Sequence, residues 1–339
     1  MYQKSILITG GAGFIGSNFT IYLVKKYPQY YIINLDKLTY AGDVKNIECI
    51  KNYKNHQFIH GDICDESLLQ SLFNKYNIKG VVHFAAESHV DNSITNPSIF
   101  IKNNIEGTFK LLEAARNFWT KEPFKFKDGY EDSRFHHIST DEVYGTLGDH
   151  GLFSESTPYA PNSPYSASKA SSDFIVRSYN HTFGINTTIS NCSNNYGPNQ
   201  HLEKLIPAII RNALDEKVIP IYGDGENIRD WLYVLDHCEA IDLIFHKGRP
   251  GETYNIGGNN EKTNLDVAYT ICTHLDKIRP KSDGESYSKL INFVEDRPGH
   301  DKRYAIDATK IQEELSWKST ENFSTGILKT INWYLEKFK

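Results

Sequence analysis

The 339-residue chain has no run of about 18 consecutive apolar residues, the length a membrane-spanning helix needs. Its opening apolar run, in MYQKSILITGGAGFIG, is broken by glycines after a few residues, so neither a signal peptide nor a membrane span is expected there. Positive charge is also short: 37 Lys and Arg stand against 42 Asp and Glu, a formal net charge of -5. No basic field is available to grip a phosphate backbone, and nucleic acid is not an expected partner. Cysteine is scarce. The five, Cys49, Cys64, Cys192, Cys238 and Cys272, contain no C-x-x-C pair, and an odd count argues against a complete disulfide framework. No metal site is expected, and a reducing, cytoplasmic setting fits best. Internal repeats and low-complexity tracts are missing too.

What remains is an ordinary globular composition, 39% apolar and 23% charged. At roughly 150 residues per domain the length suggests two, enough for a sizeable core. Short apolar runs rich in β-branched residues recur at 5–9 (SILIT), 31–35 (YIINL), 56–60 (HQFIH), 81–86 (VVHFAA), 134–139 (RFHHIS) and 186–190 (NTTIS), each read as a buried strand. Helical spacing fills the intervals, at 14–27, 66–76, 98–119 and 167–182. Strands alternating with helices predict a Rossmann-like, doubly wound parallel sheet. Beyond about residue 190 the alternation weakens among Pro and Gly clusters, although WLYVLDHCEAIDLIFHKG reads as a helix, TYNIGG as a short strand and 324–338 as a closing helix. The expected division is therefore a dinucleotide-binding domain over 1–190 with 229–257, and a smaller, irregular α/β substrate domain over 191–228 and 258–339.

The first strand–helix turn, TGGAGFIG, spaces Gly10, Gly13 and Gly16 as G-x-x-G-x-x-G, and from Gly11 it also satisfies G-x-G-x-x-G. Glycines there let the backbone approach a pyrophosphate at the helix N-terminus, where free N–H groups and the dipole favour an anion. Asp36 closes the next strand twenty residues after Gly16, placed to accept from adenosine ribose hydroxyls and to repel a 2′-phosphate, which favours NAD over NADP. Asp62 and Ile63 follow the third strand, and Ala85 and Ala86 the fourth, at strand C-terminal ends where a dinucleotide lies. Asp62 has a second reading, as the cap of the following turn.

Two further stretches carry chemistry. YSASK sets Tyr165 and Lys169 four apart, on one helix face, where an ammonium would lower the phenol's pKa and let it take a proton from a sugar hydroxyl. STDEVYG sets Thr140, Asp141 and Glu142 in succession at the end of a strand. In a regular strand residues 141 and 142 would face opposite sides, so joint use of both carboxylates requires the strand to end near Ser139. Ser139 and Glu142 also have the S-x-x-E form of a helix capping box.

TGGAGFIG, Asp36, HFAAESHVD, STDEVYG, YSASK and SNNYGP together resemble the extended short-chain dehydrogenase/reductase family, whose members modify nucleotide-activated sugars. The resemblance runs from Ile6 to about Tyr304. Epimerases of that family tend to carry small residues in place of Asp141 and Glu142, and its decarboxylases resemble STSEVYG, keeping only the Glu. The Asp-Glu pair is similar to the dTDP-glucose 4,6-dehydratases, which open 6-deoxysugar and rhamnose synthesis. This implies dTDP-glucose as substrate, tightly held NAD and a homodimer built on the helices at about 98–119 and 167–182. Oxidation at C4 acidifies C5–H, so loss of water across C5 and C6 needs a base, Glu142, and an acid, Asp141; hydride returned to C6 then leaves a 4-keto-6-deoxy sugar. Asp141 must hold its proton near neutral pH, which burial and a neighbouring carboxylate would favour.

The resemblance adds Phe14, Ile15, Lys37, Thr39, Ser88, Asn103 and Asn195 to the cofactor set. On the substrate side it implies His89, Asn194, Lys204, Leu205, Pro220, Tyr222, Arg229, Asn264, Arg297, His300 and Tyr304. Arg229 and Arg297 suit a pyrophosphate because guanidinium binds phosphate oxygens bidentately, the plainer alternative being ion pairs with Asp230 or Asp296. His300, in a Pro-Gly loop, also reads as simply solvated. Two departures stand out: Asn92 where the family usually has Arg, and a short 146–154 loop. Thymine and uracil differ by one methyl, worth about 1 kcal/mol of apolar contact, and no residue read here separates them. An NAD-dependent epimerase or decarboxylase is the competing enzyme reading. A non-enzymatic NAD-binding sensor would need neither Tyr165 nor Lys169.

Overall fold

The computed structural model describes residues 2–296 and 300–338. The chain begins with β1 (Lys4–Thr9), α1 (Phe14–Lys26), β2 (Tyr30–Asp36), β3 (His56–His60), α2 (Glu66–Tyr76) and β4 (Ile78–His83). Two short helices, α3 (Val90–Thr95) and α4 (Pro97–Phe100), lead through a wide turn to α5 (Gly107–Trp119), followed by a small hairpin of β5 (Thr120–Glu122) and β6 (Lys125–Phe126). Then come β7 (Arg134–Thr140), α6 (Pro164–Phe183), β8 (Thr187–Cys192) and β9 (Asn194–Tyr196). The rest comprises α7 (Leu205–Leu214), β10 (Ile219–Tyr222), β11 (Ile228–Tyr233), α8 (Val234–Lys247), β12 (Thr253–Ile256) and β13 (Glu261–Thr263), then α9 (Asn264–Ile278), β14 (Ile291–Val294), α10 (Thr309–Leu315) and α11 (Phe323–Lys337).

Seven strands form one parallel sheet in the order β12-β8-β7-β4-β1-β2-β3. In β1, Ile6, Leu7 and Ile8 are fully buried, as a central strand covered on both faces requires. Alternation divides them. Ile6 and Ile8 join Phe19 and Leu23 of α1 and Ile241 and Phe245 of α8, while Leu7 joins Leu111 and Leu112 of α5 and Val176 of α6 on the other face. The sheet is thus a doubly wound, Rossmann-like layer between two helix layers. Each such side chain contributes roughly 1.5–3 kcal/mol on burial. A second core, around Tyr196, Ile210, Ile271, Ile327 and Tyr334, gathers α7, α9 and α11 against β9 and β11. No helix among the described residues is long and apolar enough to cross a membrane.

Three local outcomes differ from the sequence expectation. The helix expected over 98–119 starts at Pro97 and widens into a π-helical turn at Ile101–Glu106. That turn brings adjacent Asn103 and Asn104 onto Glu87: Asn103 Nδ2 donates to Glu87 Oε1 (3.0 Å), and Asn104 Nδ2 to the Glu87 carbonyl (3.0 Å). The second outcome concerns the helix expected over 231–248. Its first three residues are strand, because Trp231–Tyr233 pair in parallel with Asn194–Tyr196, and pairing overrides local propensity. Third, α6 starts at Pro164, earlier than the expected 167, because Ser163 and Ser166 form a capping box around an N-terminal Pro.

Trp119 is fully buried, and its Nε1 donates to the Ile78 carbonyl (2.8 Å) at the base of β4. Trp119→Ala is expected to cost about 3–5 kcal/mol, read as a fall in the urea midpoint.

Candidate active site

The strand order reverses between β1 and β4, and a cleft of about 310 Å³ opens beyond the C-terminal ends of the strands there. Its floor is a close backbone contact. Gly10 has φ +72°, and a Cβ on it would lie 2.6 Å from Ala85 N; one on Gly16 would lie 2.2 Å from the Gly10 carbonyl oxygen. Gly13 is the N-cap of α1 and, lacking a side chain, leaves the first amides of that helix without a side-chain partner. Gly10, Gly13, Phe14, Ile15 and Gly16 all line the cleft, so a polar cradle for an anion is built from backbone alone.

Asp36 stands at the adjoining wall, with Oδ2 accepting from Ala12 N (2.9 Å) and Oδ1 from Leu38 N (2.8 Å). Asp62 realises its reading as a cap and also lines the cleft. Its Oδ1 accepts from Cys64 N (2.9 Å) as the cap of the turn, and its Oδ2 pairs with Lys37 (2.6 Å) at the cleft. Lys37, Thr39, Ile63, Ala85, Ala86, Ser88 and Asn103 line the same space.

β7 ends at Thr140, one residue past Ser139, and Asp141–Tyr144 form a 3-10 turn. The cap is Thr140, whose Oγ1 accepts from Glu142 N (3.3 Å), while Ser139 Oγ donates to Asp173 Oδ2 (2.7 Å). A helical turn therefore does start here, with Thr140 in the place the capping-box reading gave Ser139. Because the chain winds, Asp141 and Glu142 both line the cleft with Thr140. Asp141 is only 2% exposed. Thr140 Oγ1 lies 3.3 Å from its Oδ1, and its Oδ2 has no hydrogen-bond partner among the described residues. Burial first, then the Glu142 and Asp230 carboxylates, push its pKa well above the usual carboxylate range. The arrangement is a buried carboxyl whose protonated form is favoured, beside a second, partly exposed carboxyl.

Tyr165 and Lys169 line the cleft from α6. The expected ammonium–phenol contact is replaced. Lys169 Nζ donates to the Ile138 carbonyl (2.7 Å) and lies 3.2 Å from His137 Nε2, since a buried ammonium takes the strong acceptors within reach. Tyr165 instead stands near the Thr140 side chain, and its pKa is raised by burial, then by Glu142. Burial also draws the Lys169 ammonium down to about 8.

Asn194, Asn195 and Lys204 complete the lining on the far side. Asn195 is locked, with Nδ2 donating to the Ser193 carbonyl (3.0 Å) and Oδ1 2.9 Å from His237 Nδ1; Lys204 Nζ donates to the Ser88 carbonyl (3.1 Å). His89, Leu205, Pro220, Tyr222, Arg229, Asn264, His300 and Tyr304 are not among the residues lining this cleft. Arg229 donates to the carbonyls of Ile228 (2.7 Å) and Asp301 (2.8 Å) and lies 4.4 Å from the Tyr304 ring, while Asp230 accepts from the amides of Gly258 (2.9 Å) and Asn260 (2.7 Å). Arg229 nonetheless acts electrostatically on Asp141. Leu205 opens α7, Pro220 and Tyr222 lie on β10, and Asn264 opens α9. His89 Nδ1 accepts from Asn92 N (3.4 Å), and His300 Nδ1 lies 2.6 Å from Asp296 Oδ1. Arg297 lies outside the described residues. The sequence reading missed Glu87, Cys192, Gln200, His201 and Glu203 of the lining. Glu87 stands inside HFAAESHVD and Cys192 just before SNNYGP, so position within those motifs was the available signal.

A family model described as GDP-mannose 4,6 dehydratase matches residues 7–330. The chain belongs to this dehydratase family. The dTDP-glucose 4,6-dehydratase of Salmonella typhimurium is 53% identical over 339 residues, spanning 97% of this chain and 92% of the relative. Among solved structures, the dTDP-glucose 4,6-dehydratase of Bacillus anthracis in complex with NAD matches with a TM-score of 0.86 at 45% identity, covering 98% of this chain and 97% of that one. That of Streptomyces venezuelae, with NAD bound, matches with a TM-score of 0.88 at 42% identity over 98% and 97%. Against these 4,6-dehydratases, the Thermotoga maritima UDP-glucose 4-epimerase has the same fold, TM-score 0.86 over 99% of this chain and 100% of that one, at only 27% identity.

The buried acid makes a claim on stability. Asp141 holds its proton more tightly in the folded chain than in the unfolded one, so its contribution is full below the ordinary carboxylate pKa and declines as pH rises toward the folded value. Asp141→Asn is therefore expected to match the parent's melting temperature near pH 4 and to exceed it increasingly toward pH 8.

Proposed function

We propose that this protein is a dTDP-glucose 4,6-dehydratase, a hydro-lyase that converts dTDP-glucose to dTDP-4-keto-6-deoxyglucose with bound NAD. The observation that carries the reading is the buried Asp141, with Oδ2 unpartnered among the described residues, next to Glu142 in the cleft. An epimerase or decarboxylase has no use for that acid. The side-chain-free cradle of Gly10, Gly13 and Gly16, with Asp36 at its wall, fits a dinucleotide pyrophosphate and ribose. NAD, when bound, supplies the acceptor for two electrons and a hydrogen from C4, returns them at C6, and adds a positive ring to the site.

In this reading Tyr165, which burial alone would keep protonated, works as a phenolate with the positive charges of Lys169 and of the bound cofactor in the site, and takes the C4 hydroxyl proton at its phenol oxygen. Glu142 removes the C5 proton, and Asp141 gives its proton to the C6 hydroxyl, which leaves as water. Glu142 later returns its proton to C5. One turnover thus leaves Tyr165 a proton richer and Asp141 a proton poorer. Thr140 bonds Asp141 and stands near Tyr165, a route by which the pair resets.

The division into a cofactor domain and a sugar-nucleotide domain belongs to the same reading, with Arg229, Tyr304 and the β10 strand on the substrate side. Homodimer formation through the 101–119 segment and α6 is supported by their exposed apolar side chains: Ile101, Phe109 and Phe174 are 59%, 44% and 58% exposed, more apolar surface than water-facing helices need. Cytoplasmic residence is supported by five free cysteines.

Incubation with dTDP-, UDP- and CDP-glucose tests the function: loss of water from dTDP-glucose, seen by mass, is expected, and unchanged mass with inversion at C4 would refute it. Glu142→Gln is expected to retain C4 oxidation, seen as reduced-nicotinamide absorbance, and to slow water loss by about 10²–10⁴-fold. Phe174→Glu is expected to yield a monomer by light scattering.

A further inference from the structure

Tyr165, Lys169 and Asp173 follow one another at four-residue intervals on α6 and so share a helix face. Asp173 is buried. Its Oδ2 accepts from Ser139 Oγ (2.7 Å) and Tyr159 Oη (3.0 Å), while its Oδ1 has no hydrogen-bond partner among the described residues and lies 3.3 Å from His137 Nε2. That same ring nitrogen is 3.2 Å from Lys169 Nζ. A buried amine and a buried carboxyl therefore meet at one imidazole nitrogen, and neither Asp173 nor His137 has a part in the dehydration chemistry above.

We propose that Asp173 is a positioning residue for Lys169, the buried counter-charge that keeps the lysine an ammonium at the cleft, with the His137 ring standing between the two. The inference rests on the role given to Lys169 above. An ammonium isolated in a dry interior gives up its proton, and Lys169 faces His137 from β7, His83 from β4 and Cys192 from β8, with Tyr165 and Asp173 from its own helix. Burial opposes the charged forms of both imidazoles and of the Cys192 thiol, and it opposes the Tyr165 phenolate too, which itself depends on the Lys169 charge to form. Asp173 remains. Around it stand Ser139, His137, Tyr159 and Tyr144, and the two tyrosines are likewise pushed up by burial. Burial raises the Asp173 carboxyl to about 6, with Lys169 and its two donors opposing. Burial lowers Lys169 to about 8, with Asp173 the first group opposing. Between those values both partners are charged.

The direct test is the Lys169 13Cε resonance in lysine-labelled protein, assigned by its absence in Lys169→Arg. Its midpoint is expected to fall by about one unit or more in Asp173→Asn and to stay near the parent's in Asp173→Glu. Because the lysine must be protonated, the alkaline limb of the pH–rate profile should move to lower pH in Asp173→Asn. That costs roughly tenfold in kcat at pH 8 and about twofold or less at pH 6, with KM unchanged. An unmoved 13Cε midpoint overturns the proposal, whatever happens to activity. Should Asp173→Asn not fold, the parent decides: the Asp173 carboxyl 13C resonance is expected to show a second inflection at the Lys169 midpoint, and a single inflection overturns the pairing. Failure of the parent to dehydrate dTDP-glucose would remove the proposed function and leave both titrations readable.

Discussion

The site depends on where one strand stops. β7 runs through the buried centre of the sheet, and had it continued, Asp141 and Glu142 would have been split between its two faces. Thr140 prevents that. Its hydroxyl caps the turn through Glu142 N and reaches Asp141, with Tyr165 nearby, so the residue that ends the strand also sets the carboxyl pair at the cleft.

Dehydration of the surroundings then sets the charge states. The same burial acts in opposite senses on acids and bases: it makes Asp141 hold its proton and makes Lys169 readier to release one. A sheet end suits this arrangement because strand carbonyls such as Ile138 and hydroxyls such as Ser139 offer fixed partners where water does not reach. The cost is carried by the large apolar layers on either side of β1, which owe nothing to the chemistry.

Much of this was legible in the sequence. The fold was written in period and punctuation: buried runs such as SILIT and YIINL, the glycines of TGGAGFIG, and helices between them. The chemistry was written in STDEVYG and YSASK, because short motifs keep their residues close in space. What escaped depended on contacts between distant segments. Trp231–Tyr233 became strand by pairing with Asn194–Tyr196, and Lys169 turned to Ile138 and His137, some thirty positions away. The wide turn at Ile101–Glu106 has no periodic signature because it exists to let two asparagines reach Glu87. Arg229, expected at a phosphate, is held by backbone carbonyls and an aromatic ring, which no local pattern encodes.

That wide turn has a mechanical consequence. The polypeptide from Ile101 to Trp119 faces two ways: Asn103 looks into the cleft, and Phe109 looks out to the surface. α6 does the same, with Tyr165 and Lys169 inward and Phe174 outward. Any body clamped on the outer side of these two helices presses on the same beams that carry the inner wall. With such a body in place, the stiffness of the reaction chamber would be set in part at its outer surface, and a loosened contact there would be felt as play between Tyr165 and the carboxyl pair.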